Sequence, residues 1–190
     1  MDGKEVRSAE FARIKLLAAQ FFPDCYDFSD NSVIFASRFQ DMIRMIEVNY
    51  MVQGNVTLPR LNEAVVRDWI DRVAQNLGKR VGRLTYVFCD DEYILKTNRD
   101  FLGHDYYTDI ITFDYSNARR IAGDMVISLD TVRTNAEGLA VEYESELMRV
   151  IIHGVLHLCG INDKGPGERE IMEAHENAAL AILPTNAIQK

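Results

Sequence analysis

The stretch Glu142-Tyr143-Glu144-Ser145-Glu146-Leu147-Met148-Arg149-Val150-Ile151-Ile152-His153-Gly154-Val155-Leu156-His157-Leu158-Cys159-Gly160 decides how this chain folds. Leu147, Met148, Val150, Ile151, Ile152, Val155, Leu156 and Leu158 cover most of a helical circumference, which is the pattern of a buried helix. Glu142, Glu144 and Glu146 crowd its start, where the helix dipole favours negative charge. The remaining polar positions, Glu142, Glu146, Arg149, His153 and His157, fall on one narrow stripe. His153 and His157 lie one turn apart on that stripe. Gly160 is placed to end the helix in a left-handed cap. The chain can then fold back and bring Asp163 towards the two imidazoles.

Burying two imidazoles costs free energy unless they are paired or ligated. Taken alone, the pair reads as structural, each ring bonded to a carbonyl or a carboxylate. With Gly160 and Asp163 added, the balance moves to a metal. Two neutral nitrogens and one carboxylate make a divalent site with a coordination position left open, the arrangement of a metal that does chemistry. In a metalloprotease the residue after the first histidine of H-E-x-x-H is the glutamate base. Here it is Gly154, so a peptidase of that type has no base on this helix. Gly154 leaves room either for an extended substrate or for close helix packing.

Working outward, Ile46-Glu47-Val48-Asn49-Tyr50-Met51 alternates as a half-buried strand. Pro59 precedes a helix with Val66, Trp69, Ile70, Val73 and Leu77 on one side and Gly78 as its stop. Arg83–Cys89 reads as a second strand, and Asp90-Asp91-Glu92 as the cap of a short helix through Leu95 to Phe101. Thr108–Tyr115 and Ile121–Leu129 read as further strands, with Asp130 as N-cap of the helix that follows. A last helix runs from Glu168 to Leu183 and stops at Pro184; His175 falls on its Ile171, Ala178, Ile182 stripe and is expected to be packed. His104, in Gly103-His104-Asp105, reads as loop. The class expected is α/β (α+β): a small mixed four-stranded sheet packed by helices, with the metal-binding helix buried against it.

Length and composition set bounds. The chain has 190 residues, 47% of them hydrophobic and 26% charged, ordinary for a globular protein with a real core. Nothing approaches the ~18 consecutive apolar residues of a membrane span. The N-terminus shows no basic-then-apolar leader, so a cytoplasmic protein is expected. Cys25, Cys89 and Cys159 are too few and too scattered for a disulfide framework or a thiolate zinc cluster. Any metal is therefore held by His and carboxylate. The net charge of −8 counts against a protein that grips nucleic acid through phosphates, although a local basic patch can coexist with an acidic remainder.

The run His153-Gly154-Val155-Leu156-His157-Leu158-Cys159-Gly160 resembles the signature of the YbeY family, single-metal endoribonucleases of ribosomal RNA maturation. Three further segments are similar and occur in the family's order. They are Asn98-Arg99-Asp100-Phe101 with Tyr107-Thr108-Asp109-Ile110-Ile111-Thr112-Phe113, then Gly123-Asp124-Met125-Val126-Ile127-Ser128, then Met172-Glu173-Ala174-His175-Glu176. The resemblance spans about residues 45–183. It implies a metal-dependent hydrolase, an endonuclease that cuts RNA phosphodiesters with a metal-activated water. Its place would be rRNA processing and ribosome biogenesis, with ribosomal RNA and the small subunit as partners. It also implies one divalent ion, Zn2+, on His153, His157 and Asp163.

The chain departs from the family pattern in two places. Asp163 stands where the signature commonly has a third histidine, a set that also suits iron(II). Leu102 stands where many members carry an arginine facing RNA; Arg99 and Arg149 are the nearest replacements, each equally readable as part of an ion pair. No residue stands out as general acid or base. Asp109 is a candidate, with capping of the third strand as the stronger reading. Family members usually begin near the first strand, so residues 45–190 are expected to form the domain and residues 1–44 an extension. Two competing functions stay open: a metal hydrolase of another substrate class, and a ribosome-assembly factor that binds through a structural metal.

Overall fold

Alternation with period two sorts the strand side chains onto two faces, and this sorting builds the core. The computed structural model describes residues 46–189, so the readings made on residues 1–44 lie outside the described residues. Its strands are β1 (Glu47–Val52), β2 (Arg80–Cys89), β3 (Ile110–Asp114) and β4 (Arg120–Ser128). Its helices are α1 (Glu63–Asn76), α2 (Asp91–Thr97), α3 (Leu129–Leu139), α4 (Tyr143–Leu158) and α5 (Glu168–Ala181). The sheet order is β1-β2-β4-β3, with β1, β2 and β4 parallel and β3 antiparallel to β4. The expected mixed four-stranded α+β architecture is therefore present.

Leu84, Tyr86 and Phe88 of β2, with Ile121, Met125 and Ile127 of β4, face the larger core beneath α1, α4 and α5. Cys89, Ile111 and Val126 face the other way and make a smaller cluster with Ile94 of α2. Trp69, fully buried on α1, donates from its indole N–H to the Ala179 carbonyl at 2.9 Å and ties α1 to α5. The tail pairs back through a Leu61–Ile188 bridge.

α4 is the helix whose apolar surround marked it as buried, and Leu147, Met148, Ile151, Ile152, Val155, Leu156 and Leu158 are all enclosed. Gly154 is its contact with the sheet. A Cβ there would lie 2.8 Å from Ile110 Cδ1 and 3.0 Å from Met125 Sδ, so close packing is what the glycine permits.

Several expectations are corrected. β2 begins at Arg80 rather than Arg83, because Arg80 and Val81 pair with Arg120 and Ile121 ahead of an irregularity before Leu84. Ser128, not Asp130, caps α3: its hydroxyl accepts from the Thr131 N–H, while the Asp130 carboxylate accepts from the Asp91 N–H. After α2 the chain widens into a π turn, Asn98–Leu102, closed by Gly103 at φ 68°. The Ile171, Ala178, Ile182 stripe of α5 is solvent-facing, and its buried stripe is Met172, Glu176 and Ala179. His175 is accordingly half-buried rather than packed.

Gly123 is the tightest point of the sheet beneath α4. A Cβ there would stand 2.5 Å from the Phe113 carbonyl oxygen and 2.9 Å from Leu158 Cδ2. Since the first obstacle is backbone, Gly123→Ala is expected to push β3 from β4 and lower stability by about 1–3 kcal/mol. Urea titration followed by circular dichroism measures it, and an unchanged midpoint would refute the close-approach argument.

Candidate metal centre

The site is assembled at the C-terminal end of α4. The Ile161 N–H bonds to the Leu156 carbonyl at 3.0 Å and the Gly160 N–H to the His157 carbonyl at 2.9 Å, with Gly160 at φ 94°. These two bonds are a Schellman cap, which reverses the chain and returns Asp163 to the helix face.

Both imidazoles are fixed through Nδ1. That of His153 lies 2.7 Å from Glu176 Oε1, and that of His157 lies 2.9 Å from the Ile161 carbonyl oxygen. With Nδ1–H donating in each case, the two Nε2 atoms are left as acceptors facing one carboxylate. They stand 3.6 and 3.8 Å from Asp163 Oδ2. The rings meet edge to face, centroids 4.4 Å apart. One ligand atom from each of His153, His157 and Asp163 lies within 4.8 Å of the others. Bonds of ~2.0–2.1 Å to a tetrahedral ion separate ligands by ~3.4 Å, so this donor set fits one divalent ion with little adjustment.

Neighbouring charges act unequally on the two rings. Burial alone would pull the His153 pKa down, but the hydrogen bond and charge of Glu176 outweigh it, helped by Asp109 and Asp163, and the pKa lies above the ordinary value. A metal ion held at Nε2 would have to displace that extra proton. His157 is shifted down by burial and by the His153 charge. Glu176 resists its burial through His153 and Arg149 and is held below the usual carboxylate range.

Glu176 is the functional residue that sequence reasoning missed. A carboxylate that donates order to a ligating imidazole fixes both tautomer and ring direction. Its signal was present: Glu176 shares the apolar stripe of Met172 and Ala179, and an acid on a buried face demands a partner.

The other candidates fall as follows. Arg149 Nη1 donates to Glu176 Oε2 at 2.9 Å and to Asn177 Oδ1 at 3.1 Å, so it braces the carboxylate that holds His153. Glu146, buried one turn earlier, is raised by burial, countered by Arg149, with Asp109 and Glu176 adding to the rise. Arg99 lies on the exposed turn, paired with Asp105 at 2.6 Å. Asp109 accepts from the Ile110 N–H at 2.8 Å and from Asn135 at 3.4 Å, a cap at the head of β3. His104 lies in the exposed loop, its ring stacked on Tyr106. Neither His104 nor His175 belongs to the ligand group.

The family model described as Endoribonuclease YbeY matches residues 49–184. The Endoribonuclease YbeY of Parabacteroides distasonis is 62% identical over 130 residues, 68% of this chain and 92% of that protein. That of Bacteroides thetaiotaomicron is 59% identical over 135 residues, 71% of this chain and 98% of that protein. The solution structure of TM1509 from Thermotoga maritima matches with a TM-score of 0.50 at 20% identity, over 70% of this chain and 89% of that one, a likeness of fold.

Proposed function

This chain belongs to the YbeY family, and from that premise we propose that it is a metal-dependent endoribonuclease acting in maturation of small-subunit ribosomal RNA and in ribosome quality control. The observation that carries the metal-dependent part is the pair of Nε2 atoms, each anchored through Nδ1 and facing Asp163. A divalent ion held there, Zn2+ in this reading, supplies polarisation of a phosphoryl oxygen and activation of water. The protein's part is positional. Glu176 and the Ile161 carbonyl keep both imidazoles in the ligating tautomer, and the Gly160 cap holds Asp163 opposite them. Asp163 in place of a third imidazole lowers the net charge of the residues that would hold the ion by one, which would leave water there less acidic. Ribosomal RNA and the small subunit are the proposed partners and the cytoplasm the proposed compartment. Among the described residues no helix is long and apolar enough to cross a membrane. The domain is taken as residues 45–190, with residues 1–44 as an extension and Met45 as the proposed natural start; a mass spectrum of the native protein retaining residues 1–44 would overturn that start.

The test is single-turnover cleavage of a small-subunit rRNA precursor by the full chain, before and after chelation and with Zn2+ or iron(II) added back. Loss on chelation and recovery with one metal is the expected result; undiminished cleavage by the stripped protein refutes the reading. In parallel, Asp163→Ala is expected to hold less than one metal per chain by elemental analysis, and full occupancy would remove Asp163 from the ligand set. A binding-only assembly factor is the second reading. It is favoured by the net charge of −8 and by the carboxylate partners of Arg99 and Arg149, and it predicts that the metal-loaded chain supports subunit assembly without cleaving the precursor.

A further inference from the structure

The segment between α2 and β3 carries an exposed group of aromatic and apolar side chains, and it leads into the strand whose Ile110 packs on the metal helix at Gly154. Phe101 is 71% exposed, Tyr107 59%, Tyr106 54% and Leu102 47%. A solvated loop ordinarily does not display so many large rings, and this one is held in place. The Asn98 side chain, buried, donates to the Tyr106 carbonyl at 2.9 Å. Gly103 closes the π turn, and the Arg99–Asp105 ion pair staples it. π turns concentrate at functional sites. Phe101 rests edge-on against Phe113, and Tyr106 lies along the His104 ring. The platform is preorganised, so little ordering entropy is lost when something binds it.

Its position ties it to the metal. Ile110 of β3 lies against Gly154, the residue after His153. Tyr107 is three residues upstream, so at ~3.3–3.6 Å per residue it lies no more than about 11 Å of chain from that contact. A strand whose phosphodiester sits at the ligands reaches the rings within a few nucleotides. The nearby cations supply little of a phosphate clamp: Lys96 pairs with Asp100 at 2.8 Å, Arg99 with Asp105 at 2.6 Å and Arg149 with Glu176 at 2.9 Å. That leaves Lys164, next to Asp163 and close enough for its charge to act on His157, as the cation for a single phosphate contact. Leu102 adds apolar surface rather than charge.

Resting on the endoribonuclease reading above, we infer that Phe101, Tyr106 and Tyr107 are a base-stacking platform that holds unpaired bases of the RNA strand beside the metal centre. Stacking takes the place of phosphate pairing, which reconciles RNA binding with an acidic chain. Bases inside a duplex present no open face to these rings.

The experiment is fluorescence anisotropy of the full chain, metal-stripped so that it does not cut, with a labelled dodecaribonucleotide, single-stranded or annealed, alongside steady-state cleavage of the same oligonucleotide by the metal-loaded chain. Tyr107→Ala and Phe101→Ala are each expected to raise Kd and KM roughly tenfold to a hundredfold, with kcat nearly unchanged. Tyr107→Trp restores binding, and the duplex binds far more weakly than the single strand. The slope of log K against log salt is expected near −1, as for one or two phosphate contacts. Wild-type cleavage with alanine variants that bind RNA as tightly as wild type overturns the platform and assigns the rings to a protein contact, while leaving the endoribonuclease reading standing. A slope of −4 or steeper also overturns it. A wild-type chain that neither binds nor cuts RNA overturns the endoribonuclease reading itself.

Discussion

Alanine at His157 is expected to abolish metal-dependent RNA cleavage while the protein stays folded. In the proposed site the imidazole would supply one of three ligand atoms, and the two that remain, His153 Nε2 and Asp163 Oδ2, would not fix an ion against competing water and buffer. Without an ion to activate it, water is a poor nucleophile at neutral pH, so the rate is expected to fall by roughly three orders of magnitude or more. The fold is little affected because His157 lies at the end of α4, half-buried, with its side chain 27% exposed. The group it leaves behind, the Ile161 carbonyl, is itself half-buried and within reach of water. Single-turnover cleavage, metal content and a thermal melt on the same preparation check all three statements. Cleavage at the wild-type rate would remove His157 from the chemistry, and a collapsed melt would make its role structural.

How much of this was legible in the sequence follows from how far apart the interacting residues lie. The buried helix and its two histidines are legible because their information is local: apolar residues round the circumference, two histidines one turn apart, then a glycine able to take φ 94°. Asp163 was reachable for the same reason, three residues past the cap. The strands and their mixed sheet followed from period-two alternation. The helix cap was misread by two residues because Ser128 and Asp130 are both capping types; geometry gives Ser128 the Thr131 N–H and leaves Asp130 for α2. The face of α5 was misread through charge. Counting apolar residues points to Ile171, Ala178 and Ile182, yet the buried stripe includes an acid, Glu176, because His153 and Arg149 lie 23 and 27 positions away in sequence and directly beside it in space. A buried ion pair between distant segments shows in the sequence only as an acid on an apolar stripe, with nothing to name its partner.

Glu176→Gln is the substitution that isolates this contact, and it is expected to weaken metal binding about 10–100-fold. The amide keeps the size of the carboxylate and still accepts from His153 Nδ1–H, so the ring direction survives while the charge behind it is lost. A neutral partner lowers the basicity of Nε2 and removes the main influence that raises the His153 pKa against its burial. Stability falls as well, since Arg149 loses its 2.9 Å partner. The loss stays below the ~3–5 kcal/mol of a fully buried broken pair, because the Arg149 side chain is 34% exposed and keeps Asn177. The two effects separate experimentally. Competition with a chromophoric chelator reads the metal affinity, and a melt of the metal-free protein reads the stability. Glu173→Gln serves as control, its side chain 54% exposed and paired only with Arg169 on the surface. If Glu176→Gln lowered the melt but held metal as tightly as wild type, Glu176 would be a packing residue that touches His153 by accident of position. If it weakened the metal with the metal-free melt hardly changed, the carboxylate behind His153 is what makes two histidines and an aspartate a tight site.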